Sequence, residues 1–261
     1  MTRSPVPRWV AALAVAAAVL VVLPVAGILA RVDWSEFGSQ VTSPGALTAL
    51  GLSLRTAVVA TAGCLLLGVP LGYALAVMRS RWRSVLRAVV LAPLVLPPVV
   101  GGLALLYAFG RRGLLGSVFN HFGITVAFTT TAVIIAQTFV AMPFMVLTTE
   151  SAVAARGTRQ EAIARMYGAS RSRTLWTVTL PALGPALGAG TVLSFARAIG
   201  EFGATLTFAG SLEGVTRTAP LEIYLQREIE PGAAVALSLV LLIVAVAVVA
   251  VAYRPLTRAA S

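Results

Sequence analysis

Long apolar stretches without charged residues recur along the chain, and short segments that carry most of its arginines separate them. A transmembrane helix needs about 20 predominantly apolar residues. Five uncharged stretches satisfy this requirement, namely 9–30, 56–78, 88–110, 124–149 and 232–253. A sixth, from 174 to about 210, is long enough but contains two charged residues near its far end. The pattern predicts an all-α, polytopic membrane protein with about six transmembrane helices.

Two of these stretches have features that affect the prediction. Residues 9–30 follow two arginines, as the core of a secretory signal does, but they exceed the roughly 7–15 apolar residues of such a core. We expect a retained helix, with a cleaved signal as the alternative. In the third stretch, Pro93, Pro97 and Pro98 interrupt the helical hydrogen bonds, which predicts a bend.

The composition excludes several kinds of chemistry. Of the 261 residues, 58% are hydrophobic and 11% are charged, and all 20 basic residues are arginines. Without lysine, the chain can form neither a phosphate-binding loop of the G-x-x-x-x-G-K-[ST] type nor a Schiff base. One histidine, His121, and one cysteine, Cys64, are too few for a metal cluster or a disulfide. We therefore predict no catalytic residue, no metal site and no enzyme activity in this chain.

The position of the arginines predicts an orientation. With the N-terminus inside, thirteen arginines fall in cytoplasmic segments and five in external ones, which is a positive-inside distribution. The thirteen are Arg3, Arg8, Arg79, Arg81, Arg83, Arg87, Arg156, Arg159, Arg165, Arg171, Arg173, Arg254 and Arg258; the five are Arg31, Arg111, Arg112, Arg217 and Arg227. We expect both termini to be cytoplasmic, and the formal charge of +11 to reflect orientation rather than nucleic-acid binding.

The segment from about 152 to 177 differs in composition from the apolar stretches around it. Its first part is prone to form a helix, with Glu161 and Arg165 in the favourable i,i+4 order. Gly168 then permits a left-handed turn before a second short helix. We predict a cytoplasmic hairpin between the fourth and fifth spans, suited to docking a soluble partner. The alternative is an interfacial loop whose arginines meet anionic lipid.

Residues in and after this hairpin resemble the permease subunits of ATP-binding cassette importers. The cytoplasmic signature of that family runs Glu-Ala-Ala, three residues, Gly, nine residues, an aliphatic residue, one more residue, then Leu-Pro. Counting from Gly168, the second half matches through Val178 to Leu180 and Pro181. The first half departs from it, because the family's Glu falls at Ala162 and Glu161 lies one residue early. Whether Glu161 replaces that Glu is left open.

The sixth stretch contains a charged pair at membrane depth. A lone Arg there costs about 2.5–3.5 kcal/mol, but Arg197 and Glu201 are spaced to neutralise each other. The pair is either a packing clamp or part of a gate. The run from Gly200 to Thr205, followed by Ala209 and Gly210, resembles the molybdate and tungstate permeases, as does Pro-Leu-x-Ile-Tyr at 220–224. Sulfate and thiosulfate permeases carry a sequence related to the first of these motifs.

Residues 220–231 predict an amphipathic helix on the external surface. Leu221, Tyr224, Leu225 and Ile229 recur at helical spacing, with Glu222, Arg227, Glu228 and Glu230 on the opposite face. Such a helix can rest on lipid headgroups or form part of a landing surface for a binding protein.

These resemblances imply the permease subunit of a molybdate importer in the cytoplasmic membrane, with tungstate as a further candidate substrate. They imply one permease domain over 1–261, with a core of about 49–253, working as a homodimer with two ATPase subunits and an external substrate-binding protein. No cofactor is expected in this chain, because ATP and Mg would bind the partner ATPase. The alternatives are a sulfate or thiosulfate permease and a proton-coupled secondary anion carrier, for which Glu201 is the one titratable group offered at mid-membrane.

The resemblance also assigns roles to residues. For the ATPase contact it indicates Glu161, Ala162, Gly168 and Ala169, with Leu180 and Pro181 setting the start of the fifth span. On or beside the translocation pathway it places Arg197, Glu201, Gly203 and Thr205.

Overall fold

The computed structural model describes residues 7–157 and 159–258, and every regular element in these ranges is a helix. In chain order these are α1 (Arg8–Ala30), α2 (Phe37–Val41), α3 (Pro44–Gly63), α4 (Val69–Val77), α5 (Arg83–Leu91), α6 (Pro98–Phe109), α7 (Gly116–His121), α8 (Thr130–Arg156), α9 (Arg159–Met166), α10 (Arg171–Thr174), α11 (Leu180–Ile199), α12 (Gly203–Ala209), α13 (Ala219–Ile229) and α14 (Pro231–Arg258). The predicted all-α fold class is confirmed.

Five helical segments are long and apolar enough to cross a membrane: Arg8–Ala30, Pro44–Val77, Thr130–Arg156, Arg171–Ile199 and Pro231–Ala250. They overlap five of the six predicted stretches. The third stretch differs, because Arg83–Leu94 and Pro98–Phe109 are bent by 115° relative to each other. The bend predicted within 88–110 is therefore confirmed. The prolines that predicted a bend are the physical reason, since each lacks an amide donor.

Two of the spans contain a π-helical segment just before a proline and continue through it. A π-helical segment, Cys64–Gly68, joins α3 to α4, and a second one, Leu175–Thr179, joins α10 to α11. Pro70 and Pro181 each lie in the first turn of the helix that follows. A π segment accommodates an irregularity in the hydrogen-bond ladder, so the chain continues in the same direction.

Helix α8 lies at the centre of the fold, packed against α3, α4, α11 and α12. Its contacts are made largely by small residues, among them Ala57, Ala60, Ala141 and Ala198. At Gly72 on α4, an added Cβ would lie 2.7 Å from the carbonyl oxygen of Val146. Such small residues allow helices to approach closely in a membrane, where apolar burial alone drives little association. The core thus fixes both ends of α8 relative to its neighbours.

The amphipathic helix predicted near residue 220 is present as α13, but part of its predicted orientation is wrong. Leu221 is buried as expected, whereas Tyr224 and Ile229 are exposed. Glu222, expected on the outer face, is buried because Gln226 donates a hydrogen bond of 2.7 Å to one of its oxygens and Arg217 pairs with the other at 3.4 Å. Helical spacing alone cannot reveal such polar partners.

Candidate coupling and translocation site

The helix–glycine–helix hairpin predicted after the fourth span is present. We call residues 159–174 the elbow and the side of the membrane on which it lies the elbow side. Gly168 has φ +80° and follows α9, where its amide and that of Ala169 donate to the carbonyls of Arg165 and Ala164 at 3.0 and 3.1 Å. Ser170 then caps α10 by accepting a hydrogen bond from the amide of Arg173. Glycine adopts this left-handed conformation at least cost, so Gly168 sets the angle between the two helices.

Glu161 points into the protein rather than outward. Its side chain is 7% exposed, forms an ion pair with Arg156 and accepts a hydrogen bond of 3.0 Å from the hydroxyl of Thr179. The expected ion pair with Arg165 is wrong, because the Nε of Arg165 donates to the backbone oxygen of Glu161 instead. Glu161 therefore fastens the elbow to the ends of α8 and α11.

The outer surface of the elbow carries an exposed apolar pair. Met166 and Tyr167 are 86% and 89% exposed, and Ala162, Ile163 and Gly168 are exposed beside them. Exposed arginines surround this pair, namely Arg159, Arg165, Arg171 and Arg173. Apolar side chains ringed by charge are typical of a protein-docking surface. Of the residues assigned to coupling by sequence, Ala169 and Leu180 are half-buried and Pro181 is exposed.

A helix break separates α11 from α12, and Glu201 lies within it. The carboxylate is 1% exposed, and its two oxygens have different partners. One accepts a hydrogen bond of 2.8 Å from the amide of Ala204 in the first turn of α12, and the other pairs with Arg197 at 2.7 Å. The predicted Arg197–Glu201 pair is confirmed. The same carboxylate also satisfies the start of α12, which the sequence did not show.

The short helix α12 packs side by side with α6, the second half of the bent third span. Gly203 lies against the start of α6, where an added Cβ would be 2.5 Å from the Cβ of Pro98. Further along, Gly102 approaches α12, and an added Cβ there would be 2.6 Å from the Cβ of Thr207. The rings of Phe109 and Phe208 meet near the far ends, with centroids 6.4 Å apart. The two breaks therefore lie next to each other.

The first turn of α6 has no side-chain cap, and Val99 and Val100 within it are exposed. With 12 residues, α6 is about 18 Å long, which is short of the roughly 30 Å of a hydrocarbon core. The opening amides of a helix have no intrahelical partner, and unpaired backbone groups do not face lipid. Pro98 has no amide hydrogen and the amide of Gly101 donates to the carbonyl of Pro97, so the open amides of this turn are those of Val99 and Val100.

Of the four residues assigned to the pathway, Arg197 alone is partly exposed, with 32% of its side chain accessible. Glu201, Gly203 and Thr205 are buried, and the hydroxyl of Thr205 has no hydrogen-bond partner among the described residues. The structure brings all four together at the break, with Arg197 at its surface.

Sequence reasoning missed three buried polar residues on α8, namely Gln137, Thr149 and Glu150. Glu150 is 4% exposed and pairs with Arg83 and Arg87 at 3.1 and 3.2 Å. Gln137 is fully buried, and neither amide atom has a partner within the part of the chain that the structure describes. Two features of the sequence could have revealed two of them. Gln137 is a side-chain amide inside the apolar stretch 124–149, and Glu150 is an acid directly after that stretch. The sequence did not indicate their neighbours.

The structure thus combines a bent span, a paired helix break and a protruding elbow in one helical membrane protein. The model of the family described as binding-protein-dependent transport system inner membrane component matches residues 68–259. Since this match covers most of the chain, the chain belongs to that family.

Individual relatives agree with this assignment. The chain is 54% identical over 232 residues to the molybdenum transport system permease protein ModB of Mycobacterium tuberculosis, covering 89% of this chain and 88% of that protein. It is 32% identical over 223 residues to the sulfate transport system permease protein CysT of Escherichia coli, covering 84% and 80%. The fold is similar to a bacterial ABC transporter involved in the import of the acidic polysaccharide alginate, with TM-score 0.70, 16% identity, and coverage of 96% and 94%.

Proposed function

We propose that this chain is the permease subunit of a molybdate importer, in which ATP hydrolysis on separate subunits drives transport. The observation that carries this proposal is the 54% identity, over nearly the full length of both chains, to a molybdenum transport permease. The geometry supports it, because the chain combines a membrane path with an outward docking elbow and lacks the lysine of a nucleotide-binding loop.

The proposed assembly contains two copies of this chain, two ATPase subunits and an external binding protein. Membership of a binding-protein-dependent family supports the external partner. The exposed pair Met166 and Tyr167 supports docking of an ATPase at the elbow, which then lies in the cytoplasm. The uncapped first turn of α6 supports a second copy, since a cavity between two copies would keep this turn out of lipid. ATP and Mg bind the ATPase, and this chain needs no cofactor of its own.

The proposed path for the anion runs past the paired helix breaks. A divalent oxyanion that leaves water needs hydrogen-bond donors, but donors that hold it too tightly would stop transport. Arg197 offers a guanidinium that Glu201 already neutralises in part, at 2.7 Å. The amides of Val99 and Val100 in the first turn of α6 add neutral donors. Thr205 is buried and lies beside the path rather than on it. Gly203 acts indirectly, by letting α12 lie close to α6.

In the proposed mechanism, ATP closes the ATPase dimer and displaces the elbow. The elbow moves as one body with the spans above it, because Glu161 joins it to Arg156 on α8 and to Thr179 at the start of the fifth span. Arg156 additionally donates to the carbonyl of Val178 at 3.4 Å. Displacement of the elbow therefore tilts α8 and α11 together, and the central cavity changes the side to which it opens.

Two alternatives are separable by experiment. A sulfate permease is supported by the similarity to CysT, at 32% identity. A proton-coupled carrier would need Glu201 to release and bind a proton, but both of its oxygens are engaged, by Ala204 and by Arg197. The structure thus favours a fixed role for this carboxylate.

The test is uptake of radiolabelled molybdate into proteoliposomes that contain this chain with its ATPase and binding protein. We expect uptake to require hydrolysable ATP, to be blocked by excess tungstate and to be insensitive to excess sulfate. Equal competition by sulfate would favour the sulfate permease, and uptake that persists without ATP would favour the secondary carrier.

A further inference from the structure

The proposed mechanism makes no use of Glu150, although this residue is one of the buried carboxylates of the fold. It lies on the elbow half of α8 and is 4% exposed. One oxygen accepts a hydrogen bond of 3.1 Å from Arg83, and the other forms an ion pair of 3.2 Å with the Nε of Arg87 that lacks hydrogen-bond geometry. We call these two contacts the α5 clasp.

The clasp attaches α5 to α8 through two ion pairs. Within α5 no residue is buried, and Val85, Leu86 and Val89 are exposed. Apolar packing therefore does little to hold this helix in place. A buried carboxylate, in contrast, strongly resists the loss of its only counter-charges. Arg83 and Arg87 are four positions apart, so both face Glu150 from one side of α5.

Through α5 the clasp reaches the translocation path. The chain runs from α5 through the 3₁₀ turn Ala92–Leu94 into the proline break and then into α6, which packs on α12. On the other side, Glu150 belongs to the same helix as Arg156, which holds the elbow through Glu161. Near the clasp α8 is also tightly packed, since an added Cβ at Gly72 would lie 3.3 Å from the amide nitrogen of Glu150. Helix α8 thus joins the elbow to the break before α6.

We infer that Glu150 is a positioning residue for transport, which makes α5 and the break before α6 move together with the elbow. This inference rests on the proposed function for its driving force, because ATP binding to a partner must displace the elbow. Without the clasp, the elbow and α11 would still move, but the α6 side of the path would lag behind them. ATP would then be hydrolysed with less transport.

The chain offers a matched control for this inference. Arg79 and Arg81 lie in the loop between α4 and α5. Both are exposed, and neither forms an ion pair with any described residue. Arg79→Gln/Arg81→Gln removes the same two charges from the same side of the membrane as Arg83→Gln/Arg87→Gln. The two double variants differ in contact with Glu150.

The first experiment measures molybdate transported per ATP hydrolysed in proteoliposomes of the complete complex. For Arg83→Gln/Arg87→Gln we expect this ratio to fall by roughly 2- to 30-fold, the range for residues that couple two sites, with ATP hydrolysis retained. For Arg79→Gln/Arg81→Gln we expect the wild-type ratio. Equal ratios for both variants would overturn the inference. If the first variant does not assemble, Glu150→Gln, which keeps the size of the side chain, is measured against the same control.

A second experiment does not depend on the transported ion. In a Cys64→Ala background, spin labels at Gln160 of the elbow and Ser84 of α5 report the distance between these elements with and without ATP. We expect an unchanged distance in the otherwise native complex and a changed or broader distribution in Glu150→Gln. A distance that changes with ATP in the native complex would overturn the inference. If the distances are as expected but molybdate is not taken up, the proposed substrate is rejected and the inference about Glu150 stands.

Discussion

At the residue scale, the buried acids explain how this arginine-rich chain is organised. The buried carboxylates among the described residues are those of Glu150, Glu161, Glu201 and Glu222, and each has at least one arginine partner within 4 Å. Away from water a carboxylate needs a counter-charge, so each acid pairs with one or two of the many arginines. Each pair connects two elements or secures a helix end. The sequence shows 9 acids and 20 arginines, but the selection of partners depends on the fold.

The Arg197–Glu201 pair is either a packing clamp or part of the path, and a double variant separates these roles. Arg197→Met/Glu201→Gln removes both charges together, so no buried charge is left unpaired, and the introduced side-chain amide would still accept the hydrogen bond from the backbone of Ala204. We expect the complex to assemble and molybdate uptake to fall about tenfold or more, which corresponds to ~1.4 kcal/mol of lost transition-state stabilisation.

The control for this variant is Arg227→Met/Glu228→Gln, which removes an exposed pair on α13. Its uptake should stay within about twofold of the wild type, since exposed ion pairs contribute little. Wild-type uptake in both double variants would assign Arg197 and Glu201 to packing alone.

At the element scale, broken helices decide the arrangement of the transport path. The sequence predicted a bend at Pro97 and Pro98, because proline lacks a donor wherever it occurs. It did not predict that α12 would lie beside α6, because that pairing depends on close approach at Gly102 and Gly203. Similarly, Gly168 predicted the turn of the elbow. The inward direction of Glu161 depends on its contacts with Arg156 and Thr179, which the helical spacing of the sequence does not show.

The contact between α6 and α12 predicts a steric effect of single methyl groups. In Gly203→Ala, the new Cβ would lie 2.5 Å from the Cβ of Pro98, a rigid ring that cannot move aside. We expect a loss of about 1–3 kcal/mol in stability, as in other overpacked interiors, together with reduced uptake. The measurement is thermal unfolding of the purified chain in detergent.

Gly188→Ala is the matched control, since a Cβ at Gly188 of α11 meets no atom of the neighbouring elements within 4 Å and no proline follows it. Alanine is the better helix former by about 0.5–1 kcal/mol, so this variant should be as stable as the wild type or more so. If both variants unfold at the same temperature, α6 and α12 do not pack as closely as described.

At the scale of the whole molecule, hydropathy predicted most of the architecture, because each span must satisfy its backbone hydrogen bonds internally. Five of six predicted stretches overlap with helices able to cross the membrane. The sequence was less informative where burial depends on polar partners. Helical spacing placed Glu222 on the outer face of α13, but Arg217 and Gln226 hold it inside. Hydropathy describes contact with lipid and water, whereas contacts between polar groups depend on the tertiary fold.

The orientation of the molecule is a prediction that the arrangement of spans makes testable. Two uninterrupted spans, Thr130–Arg156 and Arg171–Ile199, enclose the elbow, so its two ends lie on one side of the membrane. Helix α5 must lie on that side as well, because Arg83 and Arg87 reach Glu150 near the end of α8. The arginine distribution predicts that this side is cytoplasmic.

In a Cys64→Ala background, single cysteines at exposed serines distinguish the two sides. Ser84→Cys on α5 and Ser172→Cys on α10 should react with a membrane-impermeant maleimide only after the cells are permeabilised. Ser117→Cys on α7 and Ser211→Cys after α12 should react in intact cells, because they follow helices that lead away from the elbow side. Labelling of Ser172→Cys in intact cells would invert the molecule and remove the elbow from any cytoplasmic ATPase. If Ser84→Cys were labelled in intact cells and Ser172→Cys were not, α5 and the elbow would lie on opposite sides of the membrane. That result would contradict the ion pairs of Glu150 with α5.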